Sequence, residues 1–413
     1  MPLPQRLLTF TSLFPSPARP RHGIFVQTRL SQLLRLHSLD VRVVAPVPWF
    51  PFALPAFGTY AKFAATPRRA TLGNGLQVSY PRYLMLPRLG VARQPDNMAR
   101  AAWADVRALA ESGWKPDLID AHYLYPDGVA AALLADRIGV PFVMTARGTD
   151  VNVLAKLPGP GQRIRWAAER AAAVITVSTR LKGSLVELGI DAERVVVLRN
   201  GVDPELFFPE DADNARAQLN LPEGRLAACV GNLVAEKGFD LAIETLPHLP
   251  DWHLVLVGDG PMRGTLLALG RRLGVAERIH ILPTMRQRQL RGLYSAAEVL
   301  LLTSTREGWP NVVLEALACG TPVVTVDVGA VDEMLTDAVA GCIVAGREPA
   351  RLAQAVQAVT ATQATPESIR SHAMQFDWAT ISKGQMEVFS RALRAPLAAA
   401  WSMSNDSLTP KTR

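Results

Sequence analysis

The sequence predicts an α/β protein of two domains, each a parallel sheet covered by helices. Apolar runs of strand length alternate with helix-length amphipathic segments along all 413 residues, the pattern of sheets buried on both faces. The chain is too long for one ordinary core, so two or three domains are expected. The alternation breaks most clearly at Arg199 to Asp211 (RNGVDPELFFPED), where Asn-Gly and two prolines separate two strand-helix series, and the hinge is placed there.

In the first series strands are expected near Leu7 to Phe14, Val41 to Val47, Leu118 to Tyr123, Pro141 to Arg147, Ala173 to Ser178 and Val195 to Leu198. In the second they fall near Leu226 to Leu233, His253 to Gly258, Ile279 to Leu282, Val299 to Thr303, Pro322 to Val326 and Cys342 to Val344. The aromatic, proline-rich stretch Pro46 to Tyr60 matches neither period. It reads equally as a loop touching an acceptor or a membrane and as a packed irregular loop.

With 49% hydrophobic and 20% charged residues, the composition is that of a folded chain, and disorder is expected only in the polar tail, residues 401–413. Cys229, Cys319 and Cys342 are widely spaced and form no C-x-x-C pair, so a reducing compartment and no metal are expected. No signal peptide is legible at the N-terminus, and runs such as Val129 to Ala135 stop well short of the ~20 residues of a membrane span. Residues 1–200 hold 25 Lys and Arg against 13 Asp and Glu, leaving 19 against 24 in the remainder. That basic half suits an anionic partner, although solvated arginine faces account for it as well. Nucleic acid is set aside as that partner, because no helix-turn-helix, finger or aromatic-and-basic sheet is legible.

The most informative segment is EGWPNVVLEALACGTPVV, Glu307 to Val324. A strand ends just before it, Pro310 suits a first helical position, and Gly320 with Pro322 closes the helix. The amides of Asn311, Val312 and Val313 then form a helix start that attracts phosphate. Glu307 precedes that start and Glu315 lies inside the helix. Carboxylates accept hydrogen bonds from vicinal hydroxyls, so the pair suits a nucleotide-sugar, with Glu307 on the sugar and Glu315 on the ribose.

Glu307 and Glu315, with seven residues between and Ala-Leu-Ala-Cys-Gly-Thr-Pro-Val-Val following, resemble the signature of the family-4 retaining glycosyltransferases of GT-B fold. The resemblance implies two Rossmann-like domains facing across a cleft: an acceptor domain at 1–200, joined by a C-terminal helix at about 374–397 that crosses back to it, and a donor domain at 201–373. It implies a metal-independent hexosyltransferase with no cofactor, whose substrate is a UDP- or GDP-linked sugar. The acceptor would be a hydroxyl of a glycan or of a lipid-linked acceptor in cell-surface or exopolysaccharide synthesis. The enzyme would be cytoplasmic or peripheral on the inner face of the plasma membrane, its basic half against an anionic surface.

In VGNLVAEKGFD, Val230 to Asp240, Lys237 is placed to neutralise the leaving diphosphate. The family usually adds an arginine where this chain has Asn232, which retains a hydrogen bond but not the charge. The donor base is expected against Pro283 and Thr284. VGDGPMRG, Val257 to Gly264, mimics a dinucleotide fingerprint but has Arg263 at its third glycine position, so it is read as a tight turn before a helix beginning at Pro261. In the first half, Gly23 would let backbone approach the donor phosphate. His122 and Asp127 of DAHYLYPDG, with Asp150 of TARGTDVN, are the expected acceptor-side residues. Arg147, where many relatives have histidine, would supply the cation that Asn232 lacks; TARGTDVN also resembles a branch containing teichuronic-acid-type enzymes. A nucleotide-sugar epimerase and a catalytically idle nucleotide-sugar-binding protein are the alternatives.

Overall fold

A computed structural model describes residues 3–73, 75–85 and 91–394. The 401–413 tail and the end of the helix expected at 374–397 lie outside them. The chain divides into two compact units, one of Met1–Thr176, Leu181–Leu198 and the segment from Ser382, the other of Val177–Arg180 and Arg199–Ile381.

The first unit contains β1 (Arg6–Phe10), β2 (Asp40–Val44), β3 (Val47–Pro48), β4 (Arg69–Thr71), β5 (Gln77–Ser79), β6 (Arg82–Tyr83), β7 (Leu118–His122), β8 (Phe142–Thr145), β9 (Ala173–Thr176) and β10 (Val195–Val197). Eight of them form one sheet in the order β10-β9-β8-β7-β1-β2-β5-β4, parallel except for the β4–β5 pair; β3 and β6 form a separate two-stranded ribbon. The second unit contains β11 (Arg225–Val230), β12 (Trp252–Val257), β13 (Ile279–Leu282), β14 (Val299–Leu302), β15 (Val323–Val326) and β16 (Gly341–Val344), an all-parallel sheet in the order β13-β12-β11-β14-β15-β16. Burial on both faces explains continuous apolar strands such as VLLL in β14, whose residues are all buried.

Every strand read from the sequence forms, but several end earlier than the apolar runs. Phe14 and Leu233 lie beyond their strands and are still buried, because the chain leaves the ladder before it leaves the core. β3, β4, β5 and β6 were not anticipated; with two or three residues each, they offer no readable period.

The C-terminal helix is shorter than expected. Pro366–Ala373 forms its own helix, and the final one spans Trp378–Ala392. Its residues Met386, Val388, Phe389 and Ala392 join Leu7, Val26 and Leu33 in the core of the first unit. Burial of a side chain such as Phe389 is worth about 1.5–3 kcal/mol, so the helix from Ser382 onward is an integral part of that unit.

Candidate active site

In the second unit the strand order reverses between β11 and β14, and ligands of open α/β sheets bind beyond the carboxyl ends of the strands at such a point. The loop after β11 carries Lys237 and the loop after β14 carries Glu307. Lys237 Nζ lies 2.6 Å from Glu307 Oε1, which also accepts a 2.8 Å hydrogen bond from Ser304 Oγ. Residues seventy apart in the chain thus form one charged centre, largely shielded from solvent, where Coulomb attraction exceeds that of a surface pair.

Glycines let these loops approach. Gly238 has φ +60°, and a Cβ there would stand 2.1 Å from the Thr303 carbonyl oxygen. Gly329 has φ +59°, and its Cβ would stand 2.8 Å from that of Glu307. Arg347 clamps the same loop by donating to the carbonyls of Thr303 at 2.9 Å and Ser304 at 3.1 Å. Sequence reading missed Gly329 and Arg347, which are remote in the chain and carry no local pattern.

The helix of the Glu307 segment spans Asn311–Ala318, so Pro310 is its N-cap rather than its first helical residue. The Val313 N–H donates to the Pro310 carbonyl at 3.0 Å, which corrects the expectation that it is open to phosphate. Asn311 and Val312 remain at the open helix end, half-buried. Asn311 Oδ1 accepts from Asn200 Nδ2 at 3.1 Å, so the Asn-Gly of the interdomain segment braces the helix start. Glu315 retains some accessible surface, but the surrounding protein pushes its pKa up to about 7, even though Tyr294 donates to its Oε2 at 2.9 Å.

Asn232 is exposed, and its carbonyl accepts from the Val234 N–H at 2.8 Å. Pro283 is exposed; Thr284 is fixed by Asp259, whose Oδ2 accepts its hydroxyl at 2.6 Å and its amide at 3.3 Å. The helix after VGDGPMRG starts at Arg263, two residues beyond Pro261. Gly258 and Gly260 serve close packing there, since a Cβ on either would meet the carbonyl oxygen of Gly231 at 1.9 Å or of Leu233 at 2.3 Å.

In the first unit the corresponding reversal lies between β1 and β7, and the loops after β1, β7 and β8 carry the expected residues. Gly23, at φ +68°, caps the helix Ile24–Leu36 and passes so near Leu13 that a Cβ would stand 2.1 Å from its carbonyl oxygen. The three acceptor-side residues need correction, because their polar atoms are engaged by protein. Asp127 is fully buried and accepts the Ser12 N–H and, at 3.1 Å, the Ser12 hydroxyl; burial pushes its pKa up to about 7. Asp150 accepts backbone N–H groups of Leu124, Arg147, Gly148 and Val151, an anchor for two loops.

His122, only 1% exposed, receives Arg147 Nη2 on Nδ1 at 2.7 Å and faces Asp120 Oδ2 with Nε2 at 3.2 Å, which assigns the ring proton to Nε2. Burial, with the neighbouring Arg147 and Arg29 charges, depresses its pKa, so the ring is neutral. Beyond it, Gln385 of the final helix donates to Asp120 at 3.3 Å and accepts from Arg29 Nε at 2.8 Å. These residues therefore orient Arg147, whose guanidinium also lies 5.3 Å from the Phe25 ring centroid. Asp120 was legible, since it precedes His122 by two residues on one strand face. Arg29 and Gln385 carry no local sequence pattern and became visible only through their burial.

Comparison with known proteins identifies the family and the fold. The model of "Glycosyltransferase Family 4" matches residues 63–206, and that of "Glycosyl transferases group 1" matches residues 211–376. A Bacillus subtilis protein named as a teichuronic acid biosynthesis glycosyltransferase, TuaC, is 34% identical over 80% of this chain and 82% of its own. The chain belongs to glycosyltransferase family 4. The D-inositol 3-phosphate glycosyltransferase of Acidothermus cellulolyticus is 33% identical over 73% of this family-4 glycosyltransferase and 72% of its own length. Two solved structures share the fold. Sucrose-phosphate synthase from Thermosynechococcus elongatus gives a TM-score of 0.76 at 20% identity, over 95% of this chain and 100% of that one. Anabaena HepE in complex with UDP-glucose gives 0.70 at 23% identity, over 94% and 99%. This family-4 glycosyltransferase accordingly has the GT-B type of fold, with an α/β sheet in each unit that is parallel throughout the second and parallel except for β4–β5 in the first.

Proposed function

We propose that this glycosyltransferase moves a hexosyl group, with retention of configuration, from a UDP- or GDP-linked sugar to a hydroxyl of a cell-surface glycan or its lipid-linked precursor. The observation that carries the reading is the Lys237–Glu307 pair beyond β11 and β14, beside the open start of the helix Asn311–Ala318. The donor diphosphate lies against the amides of Asn311 and Val312 and the ammonium of Lys237, with Asn232 adding a hydrogen bond. Glu307 grips the hexose, Glu315 the ribose, and the backbone at Pro283 and Thr284 meets the base. As the bond from C1 to the diphosphate breaks, negative charge grows on the leaving oxygen, where Lys237 stabilises it, and positive charge grows on the sugar. The acceptor oxygen bonds to C1 from the same face, and its proton passes to the departing phosphate.

These cationic and amide groups do the work without a metal cofactor. Within the first unit, the start of the helix after Gly23 is the candidate phosphate contact, and Arg147, held by His122 and Asp120, is the candidate catalytic cation. A cytoplasmic enzyme working at the inner face of the plasma membrane, with its basic first half toward anionic lipid, fits these substrates. The name of the Bacillus subtilis relative, teichuronic acid biosynthesis, supports an acceptor of this class.

The test is incubation with a panel of UDP- and GDP-sugars, followed by melting and by product analysis with and without glycan acceptors. One donor is expected to raise the melting temperature and to be consumed with retained anomeric configuration. Sugar release that needs no acceptor would instead indicate an epimerase, and stabilisation without turnover an idle binding protein.

A further inference from the structure

We propose that the aromatic segment 49–60, with Lys62 and Arg68, is a docking surface that inserts into an anionic phospholipid bilayer. The inference rests on the reading that the basic half meets a membrane, and it assigns that contact to one patch. Trp49, Phe52, Leu54, Phe57 and Tyr60, together with Leu84, are each between 39% and 61% exposed. They are grouped rather than scattered. The Phe50 ring lies 5.3 Å from Phe57 and 5.2 Å from Tyr60, and Phe52 stacks on Phe57 at 5.7 Å. Leu84 joins through the β3–β6 ribbon, where the Trp49 N–H donates to the Tyr83 carbonyl at 2.7 Å. Large apolar side chains that pack on one another and still face outward form a patch that singly exposed residues do not.

The base of the patch is held. Arg82 bonds the carbonyls of Phe63, Ala64 and Thr66 at the end of the helix Thr59–Ala65, and the Arg19 guanidinium lies 4.9 Å from the Phe63 ring centroid. The aromatic cluster is therefore preformed.

Charge selects the occupant. From Val41 to Pro95 the sequence has seven Lys and Arg and no Asp or Glu. Lys62, in the helix Thr59–Ala65 with Tyr60, and Arg68, three residues past its end, are exposed; Arg69, also exposed, lies 3.8 Å from Asp105. Trp and Tyr favour the depth of lipid headgroups, and nearby cations add attraction to anionic lipid, a pairing that a neutral glycan acceptor would not use.

The experiment is co-sedimentation of the full chain with vesicles of phosphatidylcholine alone or mixed with phosphatidylglycerol. Binding is expected to be at least tenfold tighter to the mixed vesicles. A Trp49→Ser, Phe52→Ser, Leu54→Ser variant and a Lys62→Glu, Arg68→Glu variant should each lose at least tenfold, with the melting temperature and donor hydrolysis unchanged. Brominated lipid should quench a share of the tryptophan emission that Trp49→Phe removes. Wild-type protein left in the supernatant overturns both this proposal and the membrane reading beneath it. Equal sedimentation of wild type and variants removes the patch alone, as does protection of Trp49 by soluble glycan with no response to vesicles.

Discussion

At the scale of single residues, charge and burial decide what each side chain does. Lys237 and Glu307 hold each other at 2.6 Å, so each is oriented in advance of any ligand. Glu307→Gln keeps the shape but loses the charge, and turnover is expected to fall about 100- to 1,000-fold, the usual scale for one transition-state contact. Steady-state kinetics with the donor identified by melting will measure it, and full turnover in the variant would remove Glu307 from catalysis. Asp127 gives a pH signature. Its carboxyl titrates at about 7 in the fold against an ordinary value of 3.8, so between those limits the native chain holds a proton that the unfolded chain releases. This contribution is fully present below pH ~4 and is lost as pH rises through about 7. Glu315, also raised to about 7, acts with the same sign. Asp136 and Asp150 are raised as well, while the depressed histidines His22, His122, His253 and His280 act in the opposite sense, so the difference between two chains isolates Asp127. The urea midpoint of wild type should fall relative to that of Asp127→Asn as pH rises from 4 to about 7, and a pH-independent difference would show that Asp127 is already ionised in the fold.

At the scale of elements, the apolar runs located every strand of the two main sheets that is long enough to show a pattern. They could not fix where pairing stops, because Phe14 and Leu233 stay buried after the ladder ends. Loops, by contrast, depend on close approach. At Gly238 an alanine meets both a positive φ and the Thr303 carbonyl at 2.1 Å. Gly238→Ala is expected to cost at least the ~1–3 kcal/mol of a strained backbone and to weaken donor binding through displacement of Lys237. Denaturation by urea, paired with donor titration, separates the two effects. The network on β7 predicts a different outcome for Asp120→Asn: His122 loses its charged partner, Arg147 loses its fixed orientation, and kcat falls while KM for the donor stays within a few-fold. Asp120→Glu should recover part of the loss.

At the scale of the whole molecule, Asn232 stands where the family resemblance implies an arginine, and Arg147 is the proposed replacement for that charge. Arg147→Ala should reduce turnover sharply, and Asn232→Arg in the same chain should restore part of it if Arg147 supplies the missing charge. Additive losses in that double-substitution cycle would show the two positions to be independent. Donor at about 100 times its Kd should stabilise the native chain by about 2.7 kcal/mol, so the right sugar-nucleotide is recognisable by its melting shift.

Local patterns made much of this legible in advance. The strand and helix periods of the chain dictated two α/β series broken near Arg199, and Glu307 with Pro310, Asn311 and Glu315 marked a helix start flanked by acids, because those signals lie between near neighbours in sequence. Tertiary structure alone decided the long-range partners: Lys237 on Glu307, Asn200 on Asn311, Tyr294 on Glu315, and Arg29 on Gln385 across 356 residues. It also turned His122, Asp127 and Asp150 from expected acceptor contacts into buried supports. Sheet order and burial set those pairings, and neither is written in the spacing of any one segment.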